Sequence, residues 1–121
     1  MTGVQTCALP ILPVGNSQYI QASATAANVT YGPNISNTFR IVNQDNSMTL
    51  YAAVYNDATL ASSFAKPSSS NKNVPGVVAI APGWNENVSG NFGAQNTNTI
   101  YVCVVTSSSG TVDCVITPVR D

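Results

Sequence analysis

The C-terminal stretch, residues 99–117 with the sequence TIYVCVVTSSSGTVDCVIT, constrains the fold more than any other part of the chain. Two short runs rich in β-branched residues flank a Ser/Gly turn at residues 107–110. Alternating apolar runs on both sides of such a turn are typical of a β-hairpin. The pattern therefore predicts a β protein with a C-terminal hairpin.

Two cysteines, Cys103 and Cys114, fall on the two arms of this predicted hairpin. A two-residue turn at Ser108 and Ser109 places them directly opposite one another. A three-residue turn with Gly110 in a left-handed conformation moves them one place out of register. Directly opposite residues have Cα atoms about 5.5 Å apart, within disulfide range. The sequence therefore predicts a disulfide or two packed thiols, and both alternatives stay open.

The first eleven residues, MTGVQTCALPI, are identical to the translation of a common short-read sequencing adapter read from a GTG start. One adapter base is left over, and it fits the leucine codons TTA and TTG at Leu12. A segment of this origin is set aside before the fold is considered. We therefore predict that residues 1–11, including Cys7, are not part of the natural domain and that the natural N-terminus is truncated.

The composition limits the partners that this chain can have. Residues 12–121 suffice for a single domain with a modest core. The chain is 44% hydrophobic but only 7% charged, with a net charge of −1 and no histidine. No apolar run approaches the roughly 18 residues of a membrane span, and no basic stripe is present for nucleic acid. We expect neither a membrane nor a nucleic-acid partner, and the weak charge repulsion between copies favours self-association.

Short predicted strands follow one another about every 8–12 residues, which is typical of an all-β sandwich or barrel. The predicted strands are 17–24, 29–31, 38–43, 48–55, 77–80 and the two hairpin arms, and the Gly-interrupted segment 87–95 is either an edge strand or a bulged loop. Both faces of 48–55 are partly apolar, which predicts an interior strand covered on both sides. In the long connection 56–75, residues 58–64 can form one helical turn. We predict an all-β fold: a single β-sandwich or jelly-roll-like domain of about 7–8 short antiparallel strands.

Trp84 is the single tryptophan of the chain and follows a turn at Pro82 and Gly83. We interpret it as an edge anchor of the core. The alternative is an exposed aromatic residue that contacts a partner.

The residues that common catalytic sites need are missing from the sequence. Without histidine there is no Ser-His-Asp triad, no Cys-His pair and no His-containing zinc site. Five acidic residues are scattered, mostly in turns: Asp45, Asp57, Glu86, Asp113 and Asp121. No Gly-rich phosphate loop is present. We expect no catalytic, metal or cofactor site, and therefore no enzyme activity.

The order of several motifs resembles small β-rich structural proteins of tailed bacteriophages. The motifs are a strand ending in FRIVN at 39–43, a second strand at 50–54, the AIAPG turn at 79–83, and the strand-turn-strand at 100–118. The resemblance covers most of residues 17–121. It implies a virion component, a head-decoration or fibre-like β-sandwich that assembles in the host cytoplasm and binds other virion proteins. The cysteine pair departs from the pattern, because cytoplasmic thiols start reduced.

A secreted bacterial module, located extracellularly or at the cell surface, is the alternative function. It would be a pilin-like subunit or a carbohydrate-binding β-sandwich, and Cys103 and Cys114 would then form a permanent disulfide. Carbohydrate binding would place Trp84 on an exposed surface beside Tyr51 or Tyr55, where sugar rings stack.

Overall fold

The computed structural model describes residues 12–90, 92 and 97–120. The adapter-like segment 1–11, part of the Gly-interrupted segment 87–95, and Asp121 lie outside the described residues. The described residues form nine β-strands and one short helix. They are β1 (Leu12–Pro13), β2 (Gln18–Ala22), β3 (Ala27–Tyr31), β4 (Thr38–Asn43), β5 (Leu50–Tyr55), α1 (Ala58–Ser62), β6 (Val78–Ile80), β7 (Asn85–Ser89), β8 (Ile100–Thr106) and β9 (Val112–Arg120).

The strands form two antiparallel sheets that pack face to face. Sheet A has the order β2–β9–β4–β7, and sheet B has the order β3–β8–β5–β6. β1 also pairs with β9, beyond β2, so β1 and β2 act as one interrupted edge strand. Each sheet is therefore four strands wide, and the predicted all-β sandwich is confirmed.

The strand pairing follows the order of a jelly roll. β2 pairs with β9, β3 with β8, β4 with β7, and β5 with β6. The first half of the chain thus lies antiparallel to the second half, as a two-stranded ribbon. The ribbon rolls up because β9 also pairs with β4, and β8 with β5. Of the two architectures that the sequence favoured, the jelly roll is the one that this connectivity defines.

The predicted C-terminal hairpin is wrong, although both of its strands exist. β8 lies in sheet B between β3 and β5, whereas β9 lies in sheet A between β2 and β4. The turn at 107–111 therefore carries the chain from one sheet to the other. The strands that flank a turn show the same alternation of apolar and polar residues whether the turn joins two paired strands or carries the chain to the other sheet. The alternation therefore could not distinguish the two arrangements. β8 is apolar on both faces, as expected of a strand whose two faces are both covered, but this pattern does not indicate which strands lie beside it.

The main core lies between the sheets and draws on alternate residues of the strands. Phe39 of β4 is fully buried and packs against Tyr31 of β3, with the ring centroids 5.0 Å apart. Other buried members are Ala22, Ile41, Leu50, Ala52, Val54, Ile80, Val88, Ile100, Val102, Val104, Val112, Cys114 and Ile116. Their contacts across the two inner faces hold the sandwich together.

A second apolar cluster, here called the outer cluster, covers the outside of sheet B. It comprises Ala53, Tyr55, Phe64, Cys103 and Val105, with Tyr51, Ala61, Val74, Val77 and Tyr101 partly buried against them. Phe64 comes from the connection 56–77 between β5 and β6, which also carries α1. The Asp57 carboxylate caps α1 by accepting the backbone N–H of Thr59 at 2.7 Å. The predictions of a helical turn in 58–64 and of a strand covered on both sides, β5, are both confirmed.

The turn between β8 and β9 depends on a glycine. Gly110 has a φ of 118°, a conformation that residues with a Cβ rarely adopt. We expect Gly110→Ala to lower the free energy of unfolding by about 1–2 kcal/mol, through backbone strain and through the approach of the new Cβ to within 2.9 Å of the flexible Met48 Cε. Urea denaturation measures this change, and Gly32→Ala is the matched control because a Cβ at Gly32 has no atom within 4 Å. Equal losses in the two variants would show that the conformation of Gly110 is not the cause.

Candidate functional site

Cys103 and Cys114 do not form the predicted cross-strand pair. Cys103 lies opposite Asn28 and Ala53 in sheet B, and Cys114 lies opposite Ile20 and Asn43 in sheet A. Both thiols are free. The first belongs to the outer cluster and the second to the main core, because the two strands are in different sheets. The prediction of a disulfide or of two packed thiols was therefore wrong.

Both thiols are protected by burial. Burial raises the pKa of Cys103 to about 12 and the pKa of Cys114 to about 11. The thiolate is the nucleophilic form of cysteine, so a raised pKa keeps both groups neutral and unreactive near pH 7. Neither cysteine has the low-pKa, accessible environment of a catalytic thiol.

Trp84 lies on the surface, with 65% of the residue exposed. Its interpretation as an edge anchor of the core was therefore wrong. The backbone around it is nevertheless fixed: the Trp84 N–H donates to Ala81 O at 3.1 Å, and Gly83 has a φ of 74°. Tyr51 and Tyr55, the aromatic residues predicted beside an exposed Trp84, are instead part of the outer cluster.

Four turns pass from one sheet to the other at the end of the sandwich where Trp84 lies. They are 23–26, 44–49, 81–84 and 107–111, and together they are called the tip. Backbone hydrogen bonds connect them to neighbouring strands: Thr106 N–H donates to Ser23 O at 2.9 Å, and Ser107 N–H to Thr49 O at 3.1 Å. The tip is thus a set of short, mutually supported turns.

Asn43 connects two of these turns, 44–49 and 81–84, through hydrogen bonds of its side chain. Its side chain is fully buried, and Nδ2 donates to Met48 O at 2.9 Å, Ile80 O at 3.1 Å and Ala81 O at 3.3 Å. Its backbone N–H donates to Trp84 O at 2.9 Å. The sequence pattern places Asn43 at the end of a strand and indicates no further role for it. Its acceptors come from distant parts of the chain, so the local pattern carried no signal of them.

Asp45 fixes the turn between β4 and β5. Its Oδ2 accepts the backbone N–H of Ser47 at 2.9 Å and that of Met48 at 2.7 Å. These hydrogen bonds lower the pKa of the Asp45 carboxyl group. Asp45 therefore stays ionised at neutral pH and keeps the turn ordered.

Most of the outside of sheet A is uncovered by the described part of the chain, in contrast to the outside of sheet B. At the end opposite the tip, Thr38 and Val119 are buried on this side. We call the uncovered surface the open face. Its outward-facing residues are half-buried or exposed: Tyr19, Gln21, Arg40, Val42, Asn85, Asn87, Asp113, Val115 and Thr117. One row across the sheet pairs Tyr19 with Val115, and Val115 with Val42. The open face is flat, nearly neutral and mixed in polarity.

Two polar features stand out on the open face. The Tyr19 hydroxyl donates to Asp113 Oδ1 at 2.7 Å, and this hydrogen bond raises the pKa of Tyr19. Arg40 lies at the centre of the face, opposite Thr117 and Asn87, and its Nε has no hydrogen-bond partner although the atom is buried. A buried donor without a partner lowers the stability of the folded protein.

The acidic residues have local roles. Asp45 and Asp57 accept backbone N–H groups at turns, and Asp113 accepts the Tyr19 hydroxyl. Within residues 12–90, 92 and 97–120, no group of three or more acidic, cysteine or histidine residues could hold a metal ion. In the same part of the chain, no helix has the length and apolar character that a membrane span requires.

Comparison with known proteins gives no relative from which a function could be transferred. No protein-family model matches the chain, and no curated protein matches its sequence.

Proposed function

We propose that the protein is a non-enzymatic structural component of a tailed-phage virion, located at the particle surface as a head-decoration or fibre-like domain. The observation that carries this proposal is the difference between the two outer faces of the jelly roll. Sheet B is covered by the connection 56–77 of the same chain, whereas the described residues leave the open face of sheet A free for a partner. Jelly rolls recur in viral capsid domains.

The chemistry of the open face suits a protein partner. Non-obligate interfaces are about as apolar as the rest of a protein surface, and arginine and tyrosine are enriched in them. The open face combines Tyr19, Val42 and Val115 with hydroxyl and amide side chains. At its centre, Arg40 Nε lacks an acceptor within the described chain. Because that Nε atom is itself buried, a capsid or tail protein would contact the half-buried Arg40 side chain around it rather than the atom itself.

The free thiols support assembly in a cytoplasm rather than secretion. Cys103 and Cys114 are reduced and belong to different clusters. Reduced thiols are normal in the cytoplasm, where phage particles assemble, whereas small secreted domains are rich in disulfides. The secreted alternative predicted a permanent Cys103–Cys114 disulfide and, in its carbohydrate-binding form, an exposed Trp84 beside Tyr51 or Tyr55. Trp84 is exposed, but the two cysteines are unpaired and the two tyrosines belong to the outer cluster. The virion role is therefore the better supported of the two.

The test is binding to the particle proteins encoded next to the natural gene. Those capsid and tail proteins would be assembled and incubated with the purified protein, and bound protein would be measured by co-sedimentation. We expect saturable binding to one of them. We also expect Val115→Arg, which puts a charge at the centre of the open face, to weaken that binding at least tenfold. Light scattering on the free protein would show oligomers if copies also associate with one another.

The control for this variant is Ser69→Arg, which adds the same charge to the exposed connection between β5 and β6. It should bind as well as the unaltered protein. The melting temperature of each variant establishes that the fold is retained. A monomer that bound none of the neighbouring particle proteins would overturn the proposal, as would a gene that lies among secretion or pilus-assembly genes.

A further inference from the structure

The tip presents one large aromatic side chain that the fold does not use. Trp84 is 65% exposed, and the main core is complete without it. Exposed tryptophan is uncommon on a protein surface and is enriched at binding sites. Its position in the tip, rather than on either sheet face, separates it from the open face and from the outer cluster.

The backbone beneath Trp84 is rigid. The turn 81–84 is closed by the bond from Trp84 N–H to Ala81 O at 3.1 Å, and Trp84 O accepts the Asn43 N–H at 2.9 Å. The buried Asn43 amide also donates to the carbonyls of Ile80 and Ala81, at 3.1 Å and 3.3 Å. An aromatic ring on a fixed backbone binds with little loss of conformational entropy.

The side chains near Trp84 are hydrogen-bonding groups with little charge. Glu86 lies two residues after Trp84 in β7, and Gln44 follows the Asn43 that is bonded to it; both are exposed, whereas Asn85 belongs to the open face. The four turns of the tip contain a single charged residue, Asp45, and no arginine or lysine. Lys66 reaches the tip from the connection 56–77, but its Nζ is bound to Ser107 O at 2.7 Å.

We infer that Trp84 and the amide and carboxylate groups around it form a binding site for an uncharged saccharide. The C–H-rich face of a sugar ring is apolar and stacks on an aromatic ring, while its hydroxyls need donors and acceptors of the kind that Gln44 and Glu86 carry. Nucleic acid and anionic glycans are disfavoured, because the turns of the tip supply no cationic groups. Lectin domains are among the proteins built on jelly rolls.

The saccharide site does not depend on the proposed virion role. It requires only that the tip be accessible, and the four turns of the tip lie at the end of the sandwich rather than on the open face. One stacked ring gives weak binding to a single copy. An array of copies on a particle or a cell surface would bind a polysaccharide much more tightly, through multivalency.

The experiment uses Trp84 as its own reporter, since it is the single tryptophan of the chain. Tetrasaccharides of glucose, galactose, mannose and N-acetylglucosamine would be titrated while tryptophan emission is recorded. We expect at least one of them to change the emission saturably. The same sugar, immobilised on beads, should retain the unaltered protein, and Trp84→Ala should weaken this retention at least tenfold. Trp84→Phe should keep part of the binding, because a smaller ring still stacks.

Tyr19→Ala is the matched control, because Tyr19 is also an exposed aromatic residue, 61% exposed, but lies on the open face. It should be retained on the beads as well as the unaltered protein. The inference is wrong if no tetrasaccharide changes the emission saturably, or if Trp84→Ala still binds. It is also wrong if Trp84→Ala lowers the melting temperature as much as a core substitution, or if a heparin fragment binds better than every neutral sugar.

Discussion

Replacing Asn43 by alanine is expected to lower the free energy of unfolding by about 3 kcal/mol, which corresponds to a fall in melting temperature of about 10 °C. The amide is fully buried and donates to three carbonyls. Alanine leaves the buried carbonyl of Ile80 without the Asn43 donor. It also removes this donor from the part-buried carbonyls of Met48 and Ala81. Removing one partner of a buried hydrogen bond costs about 1–3 kcal/mol.

The loss should extend beyond stability to the order of the tip. Asn43 Oδ1 also accepts the Asp45 N–H at 3.0 Å, so the same side chain anchors the turn 44–49 and the turn 81–84. Amide hydrogen exchange should become faster in both turns of Asn43→Ala. The amides of β8 and β9 should keep the same ranking of exchange rates, from slowest to fastest, as in the unaltered protein.

Asn87→Ala is the matched control for Asn43→Ala, because Asn87 is an exposed amide on β7 in the same sheet. Its effect should stay within about 0.5 kcal/mol, as for most surface substitutions. Urea denaturation of the two variants compares a buried amide with an exposed one. Similar stabilities for both would mean that the carbonyls of Ile80, Ala81 and Met48 find water instead, and that Asn43 is not the anchor of the tip.

Sequence patterns predicted the sandwich because alternation and turn signals are local. Strand β5 was identified as covered on both sides because Tyr51, Ala53 and Tyr55 are as apolar as the residues between them. The division of strands between the sheets could not be obtained in this way. The Ser/Gly turn after β8 has the composition of a hairpin turn, but the main core gains more burial when β8 and β9 each lie between two other strands.

The residues of the candidate site were harder to predict, for two different reasons. Trp84 is apolar, and large apolar residues are usually buried; its exposure depends on where the turn 81–84 meets the end of the sheet. Asn43 and its acceptor Ile80 are 37 residues apart in the sequence, so its role exists only once β4 and β6 are brought to the same end of the sandwich. Exposure and long-range hydrogen bonding both follow from the topology, which local patterns left open.

The two faces of the sandwich also explain why the cysteines are separate. Sheet B lies between Cys114 and the outer cluster, so Cys103 can be exposed by moving the connection 56–77 while Cys114 stays buried between the sheets. The two thiols therefore report on different layers of the molecule. Their reactivity distinguishes a local opening of the connection from unfolding of the jelly roll.

Phe64→Ala should produce such a local opening. Phe64 is 4% exposed and packs edge-on against Tyr55, with the ring centroids 6.3 Å apart. Truncating a buried phenylalanine costs about 3 kcal/mol or more, and here the loss falls on the contact between the connection and sheet B. If the connection opens more easily by that amount, Cys103 should react with a thiol reagent at pH 8 about 100-fold faster than in the unaltered protein.

Peptide mass spectrometry after labelling with iodoacetamide measures the rate at each cysteine separately. In Phe64→Ala the rate at Cys103 should rise while the rate at Cys114 changes little, because opening restores an ordinary thiol pKa only to the residue that it exposes. Leu60→Ala is the control: Leu60 belongs to the same connection but is 40% exposed, so its loss should leave both rates nearly unchanged. If both cysteines accelerate by the same factor in Phe64→Ala, the connection and the sandwich unfold as one cooperative unit, and the outer cluster is not a separate layer.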